Sequence, residues 1–595
     1  MSRKIYRTAA VAILLVACHA TPLAVTSCLA RTVGPRVRWE AADLDPARFD
    51  PSWIQVKLIE GSEARVEDRR LVDDRFDLSR LRAVLERYGV VEVRPSFSAD
   101  RATLRAMRSA TKRPLPDLSL WFDLRLDRAG GPDAAARLLR ELNRLDVVEI
   151  AHPAGIARPA GATAPAARSR TAPAAEIPDF SPRQGYLYAA PLGLDAPAAW
   201  WLPGGDGDGA RIVDVEVAWT EEHVDFDPDL LFFDGGAPQD GLPLYSDHGT
   251  ADLGIVIAKH DGRGIDGFAP RASWGVEALA PAEHPFAADR LLEAATQLRP
   301  GDLLLVELQM FPDGRGATPI EWLQANYDAI ETIVYGLGIA VVEAAGNGGQ
   351  DLDDPSWEGL FDRHIRDSGA ILVAAGKPAD LTAESFTNHG SRVDLHGWGS
   401  QIVTTGFGDL HGLGSPEIEY TATFNGTSGA AAMVSGAALC AASAYRAWRG
   451  APLDPIRLRA ILRETGTPHA GPLPIGPRPN LAAAIPATLD PSLLPADSLP
   501  APPVARLLAS PNPFRSGLTI RFWLARDAGV DLRVLDSSGR RIAQPFHGPL
   551  RAGPRTLAWD GRDDAGREAA SGLYLLRVET DAGIPPPAAR AVKIR

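Results

Sequence analysis

The sequence predicts a doubly wound α/β domain built on a parallel sheet, preceded by a small α+β domain and followed by a small β-sandwich. Three observations carry this. Between residues 179 and 485, short apolar runs alternate with helical stretches, as in a sheet covered on both faces. Residues 31–153 mix helix-period and strand-period segments. From 506 to 595 the pattern turns to period-two strands separated by turn residues.

Length and composition set the frame. A chain of 595 residues exceeds one hydrophobic core and points to about three or four domains. With 45% apolar and 23% charged residues it belongs with ordinary globular proteins. The net charge of −13, without long single-sign runs, argues against a nucleic-acid partner, which calls for a basic face.

Residues 1–30 read as an export signal, so the mature chain is expected outside the cytoplasm or at the cell surface. Arg3, Lys4 and Arg7 precede an apolar stretch, Ala9 to Ala17, too short to span a bilayer. Two endings compete: a lipoprotein box, Leu15-Val-Ala-Cys18, in which Cys18 is acylated, and cleavage after Ala20 or Ala30. The chain has three cysteines, and two of them, Cys18 and Cys28, lie in or beside this signal. The third, Cys440, sits in an Ala-rich apolar segment and is expected buried and inert, so no disulfide framework forms.

Within 31–153, Ser119 to Leu126 alternates strictly, with Leu120, Phe122, Leu124 and Leu126 on one face of a half-buried strand. Asp77 can cap a helix carrying Leu78, Leu81, Val84, Leu85 and Tyr88, which Gly89 ends. A second helix presents Leu138, Leu139, Leu142 and Leu145. Strands near 54–59, 90–97 and 147–152 complete a β-α-β-β-α-β, ferredoxin-like order. Residues 154–178, mostly Ala, Pro, Arg and Thr, read as an exposed linker open to nicking.

In the central domain the expected strands are 212–217, 303–308, 339–345 and 371–375, with helix over 319–335. A Pro-rich linker covers 486–505. Beyond it come strands at 518–523, 530–535, 555–559 and 572–578, with turns at Asp536-Ser-Ser-Gly539 and Asp560 to Gly566.

Four motifs in the central domain carry chemistry. In Asn425-Gly-Thr-Ser428-Gly-Ala-Ala-Ala432, small residues let another backbone approach Ser428, and a helix N-terminus there favours a developing negative charge. Asp247-His248-Gly-Thr250 places a potential general base beside a glycine. Val341 to Gly348 is a buried strand ending in Gly-Asn347-Gly, where parallel sheets gather ligand groups. Finally, Arg211-Ile-Val-Asp214-Val-Glu216 puts two carboxylates on one face of an apolar strand, where each needs a partner such as a histidine N–H. Taken singly, each motif has a bland reading as a turn, a cap or a structural histidine.

Together these residues resemble the subtilisin-like serine peptidases, in the order carboxylate, His, Asn, Ser across about residues 190–470. His248-Gly-Thr, Ala344-Ala-Gly-Asn347 and Gly426-Thr-Ser428 are similar to the family's histidine, oxyanion and nucleophile motifs, and Gly264 to Pro270 to the segment after the histidine helix. The resemblance implies an acyl-transfer hydrolase with Ser428 as nucleophile, His248 as base and Asn347 in the oxyanion hole. It implies no required cofactor, although structural calcium is common in the family. It also implies protein or peptide substrates, and a propeptide role for 31–153 as intramolecular inhibitor, with maturation within 154–178. Pro511-Asn-Pro-Phe514, Trp559-Asp-Gly-Arg-Asp563 and Ser571-Gly-Leu-Tyr574 resemble FlgD-type Ig-like modules, which implies a sorting or attachment partner.

The chain departs from the family in three places. Aligned on His223-Val-Asp225, Glu216 stands where Asp is usual, with Asp214 as the alternative carboxylate. Ala432 replaces a common proline, and Leu305-Val-Glu-Leu-Gln309 replaces Ser-Leu-Gly in the substrate strand. These departures leave open an exported subtilisin-fold binding or scaffold protein with little turnover.

Overall fold

The structure is a computed structural model that describes residues 44–45, 48–127, 131–160, 177–200, 202–236, 243–279, 286–312, 315–489, 504–510, 513–524, 528–536, 539–551, 553–580 and 588–594. The export signal, Cys18, Cys28, residues 161–176 and residues 490–503 of the Pro-rich linker lie outside the described residues.

The central sheet has seven strands in the order Leu395–Trp398, Ile371–Gly376, Ala340–Ala344, Leu303–Val306, Arg211–Glu216, Ser273–Ala278 and Leu231–Gly235, every neighbouring pair parallel. Side chains alternate across it. Val213, Val215, Leu304 and Val306 pack in one buried cluster with helices Ala287–Thr296 and Gln324–Thr332. Ile212, Leu303, Leu305 and Val342 pack in another with helices Pro243–Ile257 and Thr427–Arg449. Strand parity therefore turns Asp214 and Glu216 toward the helix that carries His248.

Thr427–Arg449 is the described helix long and apolar enough to cross a membrane, and its 18-residue apolar stretch is entirely buried in this domain. Its Ala, Gly and Ser residues let it run against the sheet. Cys440 is buried there, its Sγ 3.1 Å from the Phe268 carbonyl oxygen, and burial pushes its thiol up.

Three strands of this sheet escape the expected pattern. Ser273–Ala278 contains Gly275 and buried Glu277, Leu395–Trp398 contains His396 and Gly397, and Leu231–Gly235 is a half-buried edge. The expected 303–308 strand breaks at Glu307, and Leu308–Met310 belongs to a separate three-stranded sheet.

In the N-terminal domain Phe49–Leu58, Val90–Pro95, Trp121–Leu126 and Val148–Gly155 form an antiparallel sheet. The order runs 90–95, 121–126, 49–58, 148–155, with helices Ser79–Arg87 and Gly131–Leu142. The Asp77 carboxylate accepts the Ser79 N–H at 2.8 Å and Gly89, at φ +67°, turns the chain out of the helix. A hairpin, 65–67 with 70–72, and a third helix, Arg101–Ser109 capped by Asp100, are additional to the expected elements.

On the second face of Trp121–Leu126, Arg125 is exposed but Trp121 and Asp123 are buried, Asp123 against Ser96 and Gln55 of its own domain and Trp121 against the central domain. Trp121 Nε1 donates to Asp328 at 3.1 Å, and Lys57 Nζ lies 3.6 Å from the same carboxylate and 2.8 Å from Glu149. Around them Phe49 packs on Trp322, Trp53 on Phe286, and Arg113 pairs with Glu331 at 3.0 Å. One continuous apolar cluster spans both domains.

The chain from 154 onward is not exposed linker throughout. Arg158–Pro159 is a short strand paired with 308–310, and Ala160 is fully buried. Its order comes from hydrogen bonds to another domain, which local composition does not encode. At the far end, helix Leu481–Leu489 extends past the expected domain limit at 485.

The C-terminal strands form a three-stranded sheet, 504–510, 518–524 and 553–559, and a four-stranded sheet, 541–550, 528–536, 572–580 and 588–593. Ile520, Phe522, Val530, Leu532, Trp559 and Leu576 share one core, as two facing antiparallel sheets require.

Candidate active site

The 211–216 strand ends on Glu216, whose Oε1 lies 2.8 Å from His248 Nδ1. The other oxygen, Oε2, accepts the Val217 backbone N–H at 2.9 Å, which fixes the carboxylate plane. Burial pushes the Glu216 carboxyl up from the usual range, while the imidazole pulls it back. Asp214, two residues earlier, does not face His248. Its Oδ2 accepts the Trp219 indole N–H at 2.7 Å, and its carboxyl lies against that of Glu307. The extra methylene of Glu216 thus spans to the histidine from a strand position that Asp214 does not share.

His248 sits within helix Pro243–Ile257, its ring edge-on to Phe424 at 5.5 Å. The following glycine is required by space: a Cβ on Gly249 would lie 2.5 Å from the Ala218 carbonyl oxygen and 2.8 Å from the Trp219 ring. Thr250 Oγ1 accepts the Thr220 N–H at 2.8 Å and ties the helix to the loop that follows the Glu216 strand. His223 and Asp225 are structural: Asp225 accepts from Tyr420 Oη at 2.7 Å and from the Ile265 N–H at 3.0 Å. A Cβ on Gly264 would collide with that carboxylate, which accounts for the glycine.

Ser428 occupies the first turn of the 427–449 helix, after Gly426 at φ +113°. Its N–H is among those the helix leaves unpaired. Ser428 Oγ and His248 Nε2 are both buried without a hydrogen-bond partner. Asn347 follows the 340–344 strand. Its Oδ1 accepts from both the N–H and the hydroxyl of Thr427, each at 3.0 Å, so the amide nitrogen points the other way.

That nitrogen meets the chain's own backbone. The Ala160 carbonyl oxygen accepts from Asn347 Nδ2 at 2.6 Å and from the Ser428 N–H at 3.3 Å. The Ala160 N–H donates to the Glu307 carbonyl at 2.6 Å, and Gln309 Nε2 donates to the Pro159 carbonyl at 2.9 Å. Gln309 also accepts the Asn347 N–H at 3.0 Å, joining the strand to the carbonyl site. A peptide carbonyl is thus held between two N–H donors beside a serine hydroxyl, with its strand registered antiparallel on 308–310.

Sequence reasoning places Glu216, His248, Asn347 and Ser428, and the structure brings the first two into contact and the last two onto one oxygen atom. It misses Asp252, whose Oδ2 lies 3.3 Å from His248 Nδ1, and the buried Glu307. The signal for Asp252 was present: an acidic residue four positions after a histidine shares its helix face. Among the described residues no cluster of His, Cys, Asp and Glu is arranged to hold a metal ion.

This arrangement of a parallel sheet, a carboxylate–histidine pair and a serine beside an oxyanion-type cradle defines a serine-hydrolase architecture. Residues 178–474 match the subtilase family model and residues 515–583 the FlgD Ig-like domain model. The central domain is therefore a subtilase-family peptidase domain, and the C-terminal one a FlgD Ig-like domain. A solved structure described as proteases from Pseudoalteromonas arctica PAMC 21717 aligns with 53% of this chain and all of its own, at 19% identity and TM-score 0.39. No curated protein matches the sequence.

Proposed function

We propose that the chain is the precursor of an exported serine endopeptidase that cuts its own N-terminal domain away after Ala160. The observation that carries this is the Ala160 carbonyl, held by Asn347 Nδ2 and the Ser428 N–H where an acyl donor would lie.

In this reading Ser428 Oγ attacks the carbonyl carbon while His248 Nε2 takes its proton. Glu216 holds the Nδ1–H tautomer and balances the imidazolium. The carbonyl oxygen becomes an oxyanion stabilised by the two N–H donors. Collapse of the intermediate breaks the C–N bond, and the imidazolium gives its proton to the departing amine. Water, activated by the same histidine, then hydrolyses the Ser428 ester. The chemistry needs no cofactor.

Before separation the N-terminal domain blocks the cleft with the Arg158–Ala160 segment, and its broad apolar contact keeps it seated. The seated segment also suggests a preference for a small residue on the acyl side of the cut, with proline before it. Export is supported by the basic-then-apolar N-terminus, and attachment or sorting by the FlgD Ig-like domain.

Fluorophosphonate labelling tests the reading. Purified, matured protein should label at Ser428 near neutral pH and cleave unfolded casein, and Ser428→Ala should abolish both. A folded, matured protein that neither labels nor cleaves would favour the binding-protein alternative.

A further inference from the structure

We propose that Asp252 is a second carboxyl group acting on His248, a positioning residue that shares the imidazole Nδ1 with Glu216 and steadies the positive charge the ring acquires in the reaction. The proposal rests on His248 being the general base, as argued above.

Asp252 lies one turn after His248 on the same face of helix Pro243–Ile257. Its Oδ2 is 3.3 Å from Nδ1, against 2.8 Å for Glu216 Oε1, so the two carboxyl groups flank one N–H. Asp252 is completely buried, and neither of its oxygens makes a hydrogen bond. A buried carboxyl that holds no backbone group, caps no helix and meets no arginine or lysine is not explained by stability. The imidazole is the basic group it meets.

The other titratable groups facing it come from two further elements. Glu216 and Asp214 arrive from the 211–216 strand, and Glu307 from the break after the 303–306 strand, all completely buried. Two carboxyl groups thus stand at one imidazole, and Asp214 and Glu307 lie behind them. They cannot all be ionised together, and burial with mutual repulsion holds Asp252 and Glu307 well above the ordinary carboxylate range.

A consequence follows for the reaction. Of the two carboxyl groups, Glu216 lies nearer to Nδ1, at 2.8 Å. As His248 takes the serine proton, its positive charge appears 3.3 Å from the Asp252 carboxyl oxygen as well as 2.8 Å from Glu216. The imidazolium is thereby favoured more than one carboxylate alone would favour it. No hydrogen bond or ion pair joins Asp252 to the 308–310 strand or to the Arg158–Ala160 segment, so its effect belongs in the chemical step and not in binding.

The test uses matured enzyme with Asp252→Asn, an isostere, and Asp252→Ala, read on a peptide amide ending in Arg-Pro-Ala. The rate of fluorophosphonate labelling across pH serves as a check independent of subsite preference. The expected results are a fall of about tenfold in kcat for Asp252→Asn, a larger fall for Asp252→Ala, and KM changed by less than about threefold. The acidic limb of kcat/KM should move to lower pH by about half a unit or more, because the base has lost a stabilising neighbour.

A merely structural aspartate would lower the melting temperature and leave that limb in place. Asp252→Asn with wild-type kcat and an unmoved acidic limb would overturn the proposal. So would an Asp252→Asn chain that fails to fold, since an isostere would then have removed a structural requirement. If Ser428→Ala cleaves as wild type does, the peptidase reading itself falls. If Ser428→Ala is inert while Asp252→Asn is unchanged, only this proposal falls.

Discussion

Replacing Glu216 by Gln isolates what the carboxylate does, because the structure dictates how the amide must sit. Glu216 Oε2 accepts the Val217 N–H at 2.9 Å, so the glutamine oxygen stays there and its NH2 group turns toward His248 Nδ1. At a separation of 2.8 Å two N–H groups cannot face each other. Nδ1 must then become the acceptor and Nε2 must carry the proton, leaving nothing to receive the Ser428 hydrogen. Loss of the correct tautomer costs about 10³–10⁴ in kcat, or roughly 4–5.5 kcal/mol of transition-state stabilisation. The control is Asp214→Asn. Its carboxyl faces Trp219 and Glu307 and should cost about tenfold or less, through small shifts of the strand. The assay is kcat/KM on a soluble peptide amide near neutral pH, with fluorophosphonate labelling rates alongside. A Glu216→Gln enzyme within about tenfold of wild type, or an Asp214→Asn enzyme more damaged than it, would refute the assignment.

Further outcomes follow from other contacts. Asn347→Ala removes the 2.6 Å donor but leaves the Ser428 N–H, so kcat should fall by about 10²–10³ with KM little changed, by steady-state kinetics. Gly249→Ala forces a methyl group against the Ala218 backbone oxygen, so labelling at Ser428 should slow by about tenfold or more in a folded protein, as circular dichroism would check. His152, buried between Trp121 and the central domain, has its pKa pushed down to about 4 by desolvation. A depressed histidine contributes stability that is complete above its unfolded value of about 6.5 and is lost as pH falls toward 4. Urea titrations at the two ends of that window should show His152→Gln losing up to about 3 kcal/mol less than wild type on acidification.

Much of the site was legible because its parts are local. A strand with polar residues two apart, a His-Gly pair, a Gly-Asn-Gly turn and a serine among small residues each leave a mark within a few positions. Glu216 could be preferred over Asp214 by alignment, and the structure adds the physical reason, reach from the strand end to Nδ1. The rest depends on long-range contact. Arg158–Ala160 reads as linker because its hydrogen bonds run to Glu307 and Gln309, about 150 positions away. Strand 121–126 looks half-buried because nothing in its period-two pattern announces that Asp328 lies across Trp121. The strands at 273–278 and 395–398 escape notice because buried Glu277 and His396 interrupt their apolar pattern. Asp252 passes as one more helix residue until the fold surrounds it with three other carboxyl groups.

The central claim is that Ser428 acts on the carbonyl of Ala160, and terminal mapping tests it most directly. Full-length wild-type chain and Ser428→Ala are expressed in parallel, and intact mass with C-terminal peptide sequencing is read on each. The account predicts a released N-terminal fragment ending in Ala160 for wild type, and no such fragment for Ser428→Ala. A wild-type chain cut elsewhere, or the same Ala160 terminus appearing in Ser428→Ala, would contradict it.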